Sequence, residues 1–292
     1  MIELYLKYLE FEKRFSAHTI SSYRIDLYQF KNFLLSDYEI KSLESVNHKI
    51  VRSWIINMSS QKLTPATINR KIASIKAFYK YLITREKIKN NPLKKIPSLK
   101  KERKLPKFIK ESDMQMVFDK SKFKNNLKEM RNLLILELLY GTGIRLSELI
   151  NLKINDFNIK KDQIKVLGKR NKERIIPVNK NIKLQIDKYL KLRQNQNDNR
   201  CEFLITTSKF QKSYPMLIYR IVKENLLKII NSEKYNPHLL RHTFATHLVN
   251  KGANINAIKD LLGHSSLAAT QIYTHNSIEK LKKTFRDSHP KA

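Results

Sequence analysis

The stretch NPHLLRHTFATHLVNKGANINAIKDLLGHSSLAATQIYTH, Asn236 to His275, restricts its own folding more tightly than any other part of the chain. Its punctuation predicts three short helices. The first opens at Pro237, whose missing N–H is harmless in a first turn, and ends before Gly252. Asn254 is placed to cap a second helix through Leu262. Gly263 and His264 make the next corner, and Ser265 or Ser266 caps a third helix that carries Tyr273. Leu239, Leu240, Phe244, Leu248, Ile258, Leu261, Leu262 and Ile272 recur at helical spacing and form the buried side.

The polar residues left over define the chemistry. His238, Arg241, His264 and Tyr273 lie at helix starts, at corners or on a polar face, with no carboxylate among them. Donors without acidic partners suit an anion, and the anion that matches an arginine fork is a phosphate. His238 and His242 are four apart, a spacing that zinc sites use, but no acidic residue lies between them and no cysteine is near, which argues against a metal. Taken singly, Tyr273 reads as a packed aromatic and His264 as a capping side chain. Only the joint pattern raises them above that.

The strings HLLRHTFATHL and LLGHSSLAATQIYTH closely resemble the signature of tyrosine recombinases, in which H-x-L-R-H is followed by L-G-H and, nine residues on, by the nucleophilic tyrosine; His264 and Tyr273 keep that interval. The resemblance extends upstream. In GTGIRLSELINL, Arg145 stands before S-E-L as the family's first catalytic arginine does, and Lys169, directly after Gly168, corresponds to its hairpin lysine. By themselves these two read as a surface arginine at a glycine turn and a backbone-gripping lysine.

Composition agrees with a nucleic-acid partner. The 58 Lys and Arg exceed the 26 Asp and Glu, giving a net charge of +32, a field that draws polyanions. Codon bias toward Lys would raise Glu as well, and the acidic count is low. The chain has no long lysine-rich amphipathic helix with aromatic anchors for a membrane surface, and no run approaching the ~18 apolar residues of a membrane span. The opening residues MIELYLKYLEFEKRF lack a basic leader, and the single Cys201 excludes an internal disulfide, so a cytoplasmic location is the default.

A chain of 292 residues predicts about two domains. Residues 1–97 read as a bundle of four helices. Ser16 caps a stripe of Ile20, Tyr23, Leu27, Phe30, Phe33 and Leu34; a helix near Asn47 to Met58 holds Trp54; Thr64 and Pro65 open another with Ile68, Ile72, Ile75, Phe78, Tyr79 and Leu82. Asn69, Arg70, Lys71, Ser74 and Lys76 are expected off that last stripe, as a solvated face or as contacts to DNA. Ser16, Thr19, Tyr23, Asp26, Leu27 and Phe30 resemble the pattern of the family's SAM-like N-terminal core-binding domain. Pro97 and Pro106 bracket a basic run, read as an extended linker over 98–106 that would let two domains close around a duplex.

Residues 107–292 are predicted to be mainly helical with a small antiparallel β-sheet. Helices are expected from Ser112, from Leu127 through Tyr140, after Arg145, over Asn181 to Arg193 and from Pro215 to Ile230. Between them FNI, QIKVL and ERIIPV alternate with period two, and GKRNK makes a glycine-containing hairpin tip whose Arg170 and Lys172 would grip phosphates. At the end, Ile278, Leu281 and Phe285 lie on one side of a helix over 278–288, and the closing HPKA resembles that of the Xer branch, which resolves chromosome dimers. In the family such a helix docks onto a neighbouring subunit.

The resemblance implies a C-terminal catalytic domain that cuts and rejoins DNA through a 3′-phosphotyrosine. Arg145 and Arg241 would hold the non-bridging oxygens, Tyr273 would attack, His238 would take or orient its proton, Lys169 would protonate the leaving oxygen, His264 would add a hydrogen bond and Glu148 would orient an arginine. That chemistry requires neither metal nor ATP nor other cofactor. The implied partners are double-stranded DNA, a homo- or hetero-tetramer on paired sites and a septal DNA translocase. An integrase of a mobile element would share every one of these residues, and a topoisomerase or a non-catalytic DNA-binding regulator are the readings from other classes.

Overall fold

The computed structural model describes residues 1–100, 108–119, 123–168, 173–196, 201–229 and 235–263. The chain divides into two compact units, Met1–Leu105 and Pro106–Ala292.

The first unit is a helical bundle. Helix α1 spans Ile2–Lys7 and passes into a π-helical turn, Tyr8–Glu12; α2 covers Ala17–Tyr38, α3 His48–Ser60 and α4 Pro65–Thr84. Ser16 caps α2 as expected, and Asn47 and Thr64, expected only at the starts of their helices, also cap them. Ser16 accepts from the Thr19 amide at 3.3 Å, Asn47 from Lys49 at 2.9 Å, and Thr64 from Thr67 at 3.3 Å ahead of Pro65. Leu27, Phe30, Trp54, Ile75, Phe78 and Leu82 meet in one core.

The polar face of α4 is not the uniformly solvated face that its pattern suggested. Lys71 and Ser74 are buried, because the Asp26 carboxylate on α2 is itself fully buried and needs donors. Arg70 reaches both Asp26 oxygens, Lys71 Nζ donates to Oδ1 at 3.0 Å and Ser74 Oγ to Oδ2 at 2.9 Å. The expectation that Lys71 and Ser74 face outward is thereby corrected. Asn69 is engaged as well, donating to the Leu99 carbonyl and accepting from its amide, both at 2.8 Å, so Leu99, expected in the linker, is tied to the bundle. Lys76 is exposed, and Arg70 presents the outer half of its side chain.

The second unit comprises α5 (Glu111–Val117), α6 (Leu127–Thr142), α7 (Leu146–Asn151), three strands, then α8 (Lys180–Gln194), α9 (Pro215–Leu227), α10 (Pro237–Asn250) and α11 (Ile255–Leu262). From Met130 onward helix α6 is buried on all sides, as the apolar residues on either side of Glu137 require. The strands β1 (Phe157–Asn158), β2 (Gln163–Leu167) and β3 (Glu173–Pro177) form an antiparallel sheet in sequence order, with Val166 opposite Arg174. Leu240, Phe244, Leu248, Ile258, Leu261 and Leu262 join α6 in the core, and Leu239 packs at its edge. Among the described residues, no helix is long and apolar enough to cross a membrane. The expected third helix with Ile272, and the terminal helix over 278–288, lie outside the described residues.

Candidate active site

Three arginines converge on the end of α11. The last carbonyls of a helix have no partner within it and carry the negative end of its dipole. Here Leu261 O accepts from Arg174 Nε at 3.0 Å, Leu262 O from Arg241 Nη2 at 2.6 Å, and Gly263 O from Arg145 Nη2 at 2.5 Å. Each of three consecutive carbonyls thus takes a guanidinium from a different element: β3, the start of α10, and the cap of α7.

The corner is built by close approach. Arg241 also donates from Nη1 to the Gly143 carbonyl. Gly143 has φ +59°, and a Cβ there would come within 2.6 Å of Leu262 and 2.7 Å of Phe244, so only glycine lets the turn after α6 lie against α10 and α11. Gly263, at φ +64°, ends α11 in the left-handed conformation that its sequence position predicted.

Glu148 is the one carboxylate in this cluster among the described residues. It is buried, accepts from Arg145 Nη1 at 2.8 Å and from the Arg145 amide at 2.8 Å, and pairs with Arg174 at 2.6 and 2.8 Å. Burial pushes its pKa up, but the Arg174 and Arg145 hydrogen bonds and charges outweigh it and hold the carboxyl down at about 2. Arg241 is lowered to about 10, first by burial and then by repulsion from Arg145 and Arg174, and so remains charged at neutral pH. Three guanidiniums facing one carboxylate leave two positive charges uncompensated among the described residues. An anion with two accessible oxygens is the natural complement.

Of the residues expected in the site, Arg145, Glu148 and Arg241 are brought together. His238 is exposed in the first turn of α10, one turn before Arg241. Lys169, Arg170, Lys172, His264 and Tyr273 lie outside the described residues. A further histidine of the stretch, His247, is buried with Nδ1 2.9 Å from the Tyr140 hydroxyl, and burial lowers its pKa, so it is a neutral packing element.

Arg174 was not singled out from the sequence. Its signal was nevertheless there. In ERIIP, Arg174, Ile176 and Pro177 are buried while Glu173 and Ile175 are exposed, so an arginine stands in phase with Ile176 on the inward face of a period-two strand. A buried arginine needs an acidic partner, and Glu148 supplies it.

Guanidinium forks gathered over Glu148, on a mostly helical unit with a small antiparallel sheet, form a site of excess positive charge suited to an anion such as a phosphodiester. Residues 107–280 match the phage integrase family, and residues 2–86 match the phage integrase N-terminal SAM-like domain. The tyrosine recombinase XerC of Staphylococcus epidermidis is 37% identical over 99% of this chain and 97% of its own length, and that of Bacillus licheniformis 35% over 100% and 96%. Among solved structures, the XerH site-specific recombinase in a post-cleavage complex with palindromic difH substrate aligns with TM-score 0.74 at 23% identity, covering 97% of this chain and 82% of that one. A lambda integrase dimer bound to a COC′ core site aligns with TM-score 0.67 at 16% identity, over 93% and 97%. The chain belongs to the phage integrase family of tyrosine recombinases. It is a site-specific DNA recombinase, cutting and rejoining strands through a tyrosine.

Proposed function

We propose that this recombinase resolves chromosome or plasmid dimers in the cytoplasm, acting as a tetramer of recombinase subunits on paired sites in double-stranded DNA, with a septal DNA translocase as its regulator. The relatives that are 35–37% identical across the whole chain bear the name XerC, which supports this role over that of a mobile-element integrase.

The observation that carries the active-site reading is the pair of uncompensated arginine charges at the end of α11, immediately ahead of His264 in the chain. Arg145 and Arg241 hold the two non-bridging oxygens of the scissile phosphate and stabilise the charge that builds on them in the five-coordinate transition state. The Tyr273 oxygen forms a bond to phosphorus as the bond to the 5′ oxygen breaks, with His238 accepting or orienting the phenolic proton and Lys169 protonating the leaving oxygen. His264 adds a hydrogen bond to the phosphate. The 3′-phosphotyrosine conserves the ester, so a 5′ hydroxyl from another strand reverses the attack without ATP.

Tyr273→Phe on a nicked suicide substrate tests this directly. DNA binding should persist and the covalent adduct should vanish; an adduct still formed by this variant removes Tyr273 from the role. Recovering the genomic sites bound in cells separates the two biological settings, since a dimer-resolving enzyme occupies a chromosomal or plasmid site and an integrase occupies element ends.

A further inference from the structure

Arg174 occupies a position that the mechanism above does not use. It lies on the inward face of β3 and is 6% exposed. All three of its guanidinium nitrogens are engaged: Nε with the Leu261 carbonyl at 3.0 Å, Nη1 with Glu148 Oε1 at 2.6 Å, and Nη2 with Glu148 Oε2 at 2.8 Å. The side chain also lies flat against Gly263, where a Cβ would meet its Cδ, Nε and Nη1 at 3.2–3.3 Å. A single residue therefore touches the two structures that carry Arg145: the Glu148 carboxylate, which accepts from the Arg145 amide and Nη1, and the Gly263 corner, whose carbonyl accepts from Arg145 Nη2.

We propose that Arg174 is a positioning residue for DNA cleavage, holding Glu148 and the Leu261–Gly263 corner so that Arg145 presents its remaining donors to the scissile phosphate. The inference rests on the reading of Arg145 as a phosphate-binding arginine. Without the fork, Glu148 keeps only its contacts within α7 and its cap, and can turn with Arg145 as a unit. An ion pair this deep adds little net stability over apolar packing of the same volume, whereas a planar fork fixes the carboxylate plane. The strand also has a part in this. β3 begins at Glu173, four residues after Lys169 in the sequence, and pairs with β2, so Arg174 ties the sheet to the arginine cluster.

The test is single-turnover cleavage of a nicked suicide substrate at saturating Arg174→Lys protein, beside gel-shift affinity and an unfolding midpoint. Misplacing a catalytic group by about 1 Å slows a reaction by roughly 100-fold, and a loss of that order is expected with DNA affinity nearly unchanged. A second substrate replaces one non-bridging oxygen of the scissile phosphate with methyl, removing the charge that Arg145 offsets. On it the penalty of Arg174→Lys should shrink to a few-fold, roughly, and Arg145→Lys should show the same pattern, with the double variant less than additive. If Arg174→Lys does not fold, Arg174→Met combined with Glu148→Gln removes one charge of each sign, leaves the net charge of the cluster as it was, and takes its place in every measurement, read against Glu148→Gln alone.

Cleavage by a folded variant within about twofold of the parent, a rate ratio worth well under 1 kcal/mol, overturns the proposal, as do equal penalties on the two substrates, which mark general loosening. Impaired Arg145→Lys beside normal Arg174→Lys removes this inference alone. Normal cleavage by Arg145→Lys removes the reading beneath it.

Discussion

Arg174 and Glu148 face each other as a two-pronged ion pair, Nη1 to Oε1 at 2.6 Å and Nη2 to Oε2 at 2.8 Å, joining β3 to α7. Removing one partner strands the other in the core, so Glu148→Ala should destabilise the protein by about 3–5 kcal/mol in a urea titration. Because the Glu148 pKa is held below its ordinary value, its contribution is present above about pH 4.5 and is lost as pH falls toward about 2. Glu148→Gln should therefore lose less stability than the parent across that acid window. Parallel losses would show that the pair does not govern acid unfolding there.

Lys169→Ala should slow cleavage by removing the proton donor to the leaving oxygen. A substrate whose 5′ leaving group is a thiol needs little protonation and should recover much of the roughly 10²–10⁴-fold loss typical of a missing general acid. Equal losses on the oxygen and sulfur substrates would make Lys169 a backbone-gripping residue.

Two lysines of α4, Lys76 and Lys71, should part company in a salt titration. Lys76 is exposed, so Lys76→Ala should lower the slope of log affinity against log salt by about 1 if it meets a phosphate. Lys71 is buried on Asp26, and Lys71→Met should leave the slope unchanged while lowering the unfolding midpoint. A slope change in Lys71→Met with no change in midpoint would contradict its burial.

Deleting residues 278–292 should leave binding to one half-site nearly unchanged. If Ile278, Leu281 and Phe285 dock on a neighbouring subunit as the family resemblance implies, the deletion should weaken cooperative filling of paired half-sites and abolish strand exchange between full sites. Gel shifts on one and two half-sites, run beside a recombination assay, check both. Intact cooperativity with normal exchange would mean that the segment packs on its own subunit.

Much of this molecule was legible before folding. Ser16 and Asn254 cap the helices expected of them, Thr64 opens the helix that begins at Pro65, and Gly263 turns with positive φ where a corner was expected. The three strands appear where the period changes to two. Arg145, Glu148 and Arg241 could be named because GTGIRLSEL and HLLRH resemble the family's motifs, and the structure gathers the three side chains.

What escaped the sequence was the burial of charge. Lys71 and Ser74 look like solvated neighbours of an apolar stripe until α2 brings Asp26 against them, and Arg174 looks like one more cation of a basic hairpin until α7 presents Glu148. Caps, turns and periodicity are set within a turn or two of the backbone, where the residues themselves decide. A buried ion pair depends on which distant element arrives to desolvate it, and only tertiary packing determines that. The same holds for the three carbonyls that end α11: their lack of a helical partner follows from local geometry, but that arginines from β3, α7 and α10 satisfy them is a property of the folded unit alone.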